Sequence, residues 1–137
     1  MSPVAVIAEA VEAAKKAGYR IVYGDWGVEF KAEAKRWVSP HGCCCPIGAV
    51  LLVHQPDYRL GIISGAAKYL GVSTYWIKGF YSAVDRQPCP VEDYMTGKQK
   101  AQTRAGYRAG LTFRKKWGKG MRRFDTASLL FATKRTS

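Results

Sequence analysis

The chain has 137 residues, 47% hydrophobic and 23% charged, the make-up of one globular domain rather than of a disordered segment. Twenty-two Lys and Arg against ten Asp and Glu leave a net charge of +12. No run of 18 apolar residues occurs, so a membrane-spanning helix is excluded and a polyanion is the first partner to consider.

The first element in chain order is a helix. Ser2 can cap it and Pro3 suits its first position. Val4, Ile7, Ala8, Val11 and Ala14 then make one apolar face, and Gly18 ends it. Glu9 and Glu12 interrupt the apolar pattern, so the segment lacks the character of a signal peptide, and a cytoplasmic location is expected by elimination. Tyr19 to Tyr23 is a β-type run, Gly24-Asp25 a turn, and Trp26 to Phe30 a returning strand. A third extended run passes through Trp37-Val38, and residues 39–42 form a tight turn. Pro46 opens a second helix that Pro56-Asp57 stops. Further helices are expected from about Leu60 to Leu70, from after Ser73 to about Val84, and from about Met95 to Trp117. A short final element is expected through Leu129, Leu130 and Phe131. The expected fold is therefore α+β, mainly α: one domain over 1–137, about five helices around one core, with a small β-hairpin near residues 19–38.

The charge is strongly localised. Residues 1–97 hold ten Lys/Arg against nine acids, whereas residues 98–137 hold twelve against Asp125 alone. Tyr107, Phe113, Trp117, Phe124 and Phe131 are interleaved with these cations, which a purely solubilising tail does not need. On a helix, Lys100, Arg104, Arg108 and Lys115 fall within about 80° of one another. Ala101, Ala105, Ala109, Phe113 and Trp117 make a neighbouring stripe for packing, and Arg114, Lys116, Lys119, Arg122 and Arg123 carry the charge onward. A row of cations suits a nucleic-acid backbone, with counterion release driving association. Lys100, Arg104, Arg108, Lys115, Lys116, Arg122 and Arg123 are the expected phosphate contacts. Trp117 and Phe124 could stack on single-stranded bases, although core burial is the commoner fate of such residues. A membrane surface is a poor partner, because the apolar face is mostly alanine.

The stretch Ala66 to Phe80 (AAKYLGVSTYWIKGF) resembles the helix-turn-helix core of phage and bacterial DNA-binding proteins. Ala67 is small where two helices cross, Gly71 sits where the turn needs a positive φ, and Ser73 can cap the second helix. The resemblance implies that Ser73, Thr74, Tyr75 and Lys78 face the DNA bases, with Thr74, Tyr75 and Lys78 as candidate contacts. It spans only 15 to 20 residues, and Gly79, costing about 1 kcal/mol against alanine, departs from a good recognition helix. The chain also resembles, over perhaps half its length, small phage and bacterial proteins with a Cys-Cys-Pro-Ile-Gly-Ala helix start, here Cys44 to Ala49. That likeness implies a phage origin and brings no activity with it.

The cysteines are Cys43, Cys44, Cys45 and Cys89, and three in a row do not suit a disulfide framework. Cys43, Cys45, Cys89 and His41 (or His54) could supply four zinc ligands, but no Cys-x-x-Cys pair is present. Cys45 before a helix start could be an activated thiol with His41 or His54 as base. The simpler expectation is that these cysteines pack as small apolar residues. The leading expectation is thus a non-catalytic nucleic-acid-binding protein of phage type, contacting DNA or RNA without a cofactor. The alternative is a protein that binds and modulates a host or defence-system protein, such as a nucleic-acid-guided nuclease. A cysteine-based metal or thiol site comes third.

Overall fold

The structure, a computed structural model, describes residues 1–125. The expected final element at Leu129 to Phe131 lies outside them. Five α-helices and a few short strands form a mainly helical α+β fold.

Helix α1 (Pro3–Lys16) starts as its sequence directs: the Ser2 side chain accepts from the Ala5 N–H, and Pro3 stands in the first turn. Gly18, at φ +96°, turns the chain into β1 (Arg20–Tyr23). Strand β2 (Glu29–Lys31) pairs antiparallel with β3 (Arg36–Val38), joining Glu29 to Val38 and Lys31 to Arg36. Strand β4 (Cys43–Cys44) leads into α2 (Pro46–His54). A short 3-10 helix (Tyr58–Leu60) precedes α3 (Gly61–Leu70). Helices α4 (Thr74–Val84) and α5 (Gly97–Trp117) follow, and β5 (Arg122–Arg123) closes the order.

The expected pairing of Tyr19–Tyr23 with Trp26–Phe30 does not form. The hairpin is β2–β3, while β1 is the central strand of a parallel sheet ordered β4-β1-β5. Two glycines explain the difference. Gly24 (φ +91°) and Gly27 (φ +72°) turn the chain across the end of β1 toward the start of α2. A Cβ on Gly27 would lie 2.5 Å from the Cys43 carbonyl oxygen, and the Cys45 N–H donates to the Trp26 oxygen at 3.0 Å. The loop is thus pressed onto β4 and cannot run back along β1. Gln55 then ties the hairpin to the end of α2: its side chain accepts from the Trp37 N–H and donates to the Trp37 oxygen.

The core joins Ile7 and Val11 of α1 to Val50 and Leu51 of α2, Ile77 and Phe80 of α4 and Phe113 of α5, all 1% exposed or less. The tightest contact is α4 on α5. A Cβ on Gly106 would lie 2.0 Å from the Trp76 carbonyl oxygen, and one on Gly79 2.1 Å from that of Thr103. These helices meet backbone to backbone, which only glycine allows. Gly79, awkward for a helix considered alone, is required by its neighbour.

Candidate nucleic-acid interface

Helix α5 positions the basic residues. Thr96 and Gln99 form a reciprocal capping box at its start, which fixes where its 21 residues begin. Its buried residues are Thr103, Gly106, Gly110 and Phe113. This seam replaces the expected alanine stripe: Ala101 is exposed, and Ala105 and Ala109 are half-buried. The reason is steric, since the line of closest approach to α4 must run through residues without a Cβ. At 100° per residue, Lys100, Arg104, Arg108 and Lys115 then lie on the far side of α5 from that seam. Arg104, Arg108 and Lys115 are exposed and Lys100 is half-buried, with Leu111 exposed among them. From Lys100 to Lys115 the stripe covers about 22 Å. Among the described residues none of the four forms an ion pair with a carboxylate; the two ion pairs found there are Lys15–Glu12 and Arg59–Asp57.

The remaining cations are placed elsewhere. Arg114 donates to the Ala83 oxygen at 2.9 Å and so braces α4. Lys116 lies over the Trp117 ring, 4.7 Å from its centre. Arg122 and Arg123, neighbours in β5, point to opposite faces of the sheet. Arg123 passes over Gly24. Trp117 packs on Phe113 at 5.3 Å and against the core cluster, and half-buried Phe124 donates its N–H to the Tyr23 oxygen.

Helices α3 and α4 are joined as the local sequence directs, with Gly71 at φ +71° and the Ser73 hydroxyl accepting from the Trp76 N–H. Thr74, Tyr75 and Lys78 are half-buried, with the Lys78 ammonium 5.5 Å from the centre of the Tyr75 ring. Because α5 turns its basic stripe away from α4, these three residues and the stripe do not add into one continuous surface.

The cysteine cluster is part of the interior. Cys43, Cys44 and Cys45 are buried and Cys89 is half-buried. Cys45 caps α2, its sulfur accepting from the Gly48 N–H at 3.2 Å. A helix start favours a thiolate, but burial outweighs that here and pushes the thiol up to about 12. Burial likewise raises Cys43 and Cys44. A thiol raised in this way keeps its proton near neutral pH, which opposes the activation expected at Cys45. Cys43, Cys45, Cys89 and His41 are not drawn together either: among the described residues no three His, Cys, Asp or Glu side chains converge to hold a metal. Adjacent strand residues point opposite ways, so three consecutive cysteines cannot share one centre.

Two surface depressions were not foreseen. A cleft of about 250 Å³ has Trp26 and Tyr81 edge to face at 5.0 Å, with Asp25 and Asp85 beside them. Both carboxylates are committed to the loop, Asp25 accepting from the Gly27 N–H and Asp85 from the Gly24 N–H. Burial raises the pKa of Asp85 despite that bond and the nearby Arg86 and Arg123. The second depression, about 320 Å³, carries Lys15, Arg20, Lys119 and Arg122. Its signal in the sequence was a repeated step, Gly18-Tyr19-Arg20 and Gly120-Met121-Arg122, each following a helix end. A charge count hides it, because Lys15 and Arg20 fall in the nearly neutral part of the chain.

Comparison with protein-family models, with curated proteins and with solved structures finds no match to this chain.

Proposed function

We propose that the protein binds nucleic acid without catalysis, laying the outer face of α5 along a phosphate backbone. The observation that carries this reading is the stripe Lys100, Arg104, Arg108 and Lys115. Four cations stand in a row on the solvent side of one helix, with no carboxylate of the described residues paired to them. A row held for internal stability would be expected to meet acids on the same or the next helix. Lys100 to Lys115 spans about two thirds of a duplex turn, so the contacts fit either a duplex groove edge or a single strand. Thr74, Tyr75 and Lys78, on a separate surface, are secondary candidates for base contacts.

Salt dependence tests the reading. Four phosphate contacts correspond to a log–log slope of about −3.6 on duplex DNA and about −2.8 on a single strand. Replacing Lys100, Arg104 and Arg108 by Ala should flatten the duplex slope to about −1. An unchanged slope would remove the stripe from the interface. Parallel titrations with duplex DNA, single-stranded DNA and RNA identify the preferred polymer.

A second reading is a phage-type protein that covers and modulates a host or defence protein. Val53, Tyr58, Leu60 and Tyr69, on α2, the 3-10 helix and α3, support it as exposed large apolar side chains. That reading predicts weak binding to free nucleic acid and co-purification with one partner.

A further inference from the structure

We infer that the cleft between the 24–27 loop, the start of α2 and the end of α4 receives a guanine base, from a free nucleotide or from a single strand. The inference does not rest on the α5 stripe.

The walls suit a flat, largely apolar ring. Trp26 and Tyr81 stand edge to face, 5.0 Å apart with 74° between their planes, so they form a corner. Ile47, Phe80 and Val84 line the cleft with them. A corner gives a planar ligand one face to stack on and one edge to abut. The space, about 250 Å³, falls below the range of about 300–1,000 Å³ that holds a whole drug-sized ligand, and so suits a single ring system.

The polar groups select the edge of that ring. Asp25 and Asp85 are the charged residues lining the cleft. Oδ1 of Asp25 accepts from the Gly27 N–H and Oδ1 of Asp85 from the Gly24 N–H, each at 2.9 Å. Among the described residues no hydrogen bond reaches either Oδ2. An ionised carboxylate only accepts, so these oxygens call for donors. The start of α2 does little for an anion, since Pro46 has no N–H and that of Gly48 goes to the Cys45 sulfur. A cation is opposed as well. Arg123 passes over Gly24, the Arg86 guanidinium lies 3.8 Å from the centre of the Tyr23 ring, and both act on Asp85. A neutral ring with N–H donors meets all three conditions. Among the bases, guanine presents two adjacent donors on its Watson–Crick edge, N1–H and the 2-amino group. Adenine and cytosine present one donor beside an acceptor. The cations near the rim then favour the phosphate that the base carries.

Holding the 24–27 loop is the competing role for the two acids. It explains an acceptor at 85 but not a charge, because Asp85 stands at the C-terminal end of α4, where the helix dipole opposes a negative group. Burial also raises the pKa of Asp85, as expected of a carboxylate short of donors, and two base N–H groups would supply them.

Calorimetric titration of the full chain with guanosine 5′-monophosphate tests the inference. Binding is expected, weaker by about tenfold for inosine 5′-monophosphate, which lacks the 2-amino group, and weaker still for adenosine 5′-monophosphate. The three carry the same charge, so equal affinities mean general attraction to a basic protein and overturn the inference. Asp25→Asn and Asp85→Asn each keep an acceptor for the loop. Each should weaken guanosine monophosphate binding by about tenfold, although loss of a negative charge strengthens attraction to any phosphate. A melting temperature unaltered or raised shows that the variants are folded. An oligouridylate with one guanosine, set against oligouridylate alone, separates the sources. A gain from that guanosine, lost in Asp85→Asn, assigns the cleft to a strand; guanosine monophosphate binding without that gain assigns it to the free nucleotide. No binding of guanosine monophosphate, or binding that neither variant weakens, also overturns the inference. A mononucleotide is too short to span the α5 stripe, so that failure leaves the duplex salt slope, and the reading it tests, untouched.

Discussion

At the scale of single residues, burial governs the chemistry. Cys45 stands at a helix start, where a sequence motif suggests activation, yet the interior raises its thiol to about 12. Alkylation of the intact protein near neutral pH should therefore label half-buried Cys89 first, with Cys43 to Cys45 reacting only on unfolding. Peptide mapping by mass spectrometry checks this, and labelling of Cys45 as fast as Cys89 would restore the reactive-thiol reading. Asp85 shows the same effect on an acid. Its folded pKa is raised by burial, so the unfolded chain gives up the proton first as pH rises. The folded state then binds more protons, and this group's contribution to stability declines from about pH 4 upward. Asp85→Asn keeps an acceptor for the Gly24 N–H and removes the ionisation. The variant should gain stability over the parent as pH rises from about 4 to 7 in paired urea melts, and a constant difference would refute the cause.

At the scale of elements, the α4–α5 contact decides which face of α5 meets solvent. Gly106→Ala gains about 1 kcal/mol of helix propensity. It also places a methyl 2.0 Å from the Trp76 carbonyl oxygen, so the helices must separate. Overpacking costs about 1–3 kcal/mol in ordinary cores. Contact with backbone lies at the upper end, so a net loss of about 2 kcal/mol is expected. Gly97→Ala, with nothing within 4 Å, is the control and should be neutral or slightly stabilising. Equal stability for both variants in urea denaturation would mean that the helices are not in backbone contact. The helix boundaries themselves were legible beforehand. Ser2-Pro3, Cys45-Pro46, Gly71 and Ser73 mark ends that the structure keeps, because caps and positive-φ turns are local interactions. The packing stripe of α5 differs from the alanine stripe the sequence predicts, since alanine and glycine at similar spacing predict similar faces until the partner helix is known.

At the scale of the whole molecule, the positive charge divides into separate features. One is the α5 stripe and another is the pocket that joins Lys119 and Arg122 to Lys15 and Arg20 from the opposite end of the sequence. Composition determined the excess of positive charge, the order of the residues determined its concentration beyond residue 97, and the apolar periodicity determined the mainly helical α+β class. Local sequence determined the five helices and most of their ends, since propensity, capping and apolar periodicity act over a few residues. Tertiary structure alone decided that β1 pairs in parallel with β4 and β5 rather than in a hairpin with the next segment. It also decided which cations are held in internal contacts, for Arg114 and Lys116 are drawn into contacts that only the packed α4–α5 pair and the Trp117 ring create. The physical reason is common to both: strand pairing and charge placement depend on residues far apart in sequence, whose proximity exists only after the core has closed.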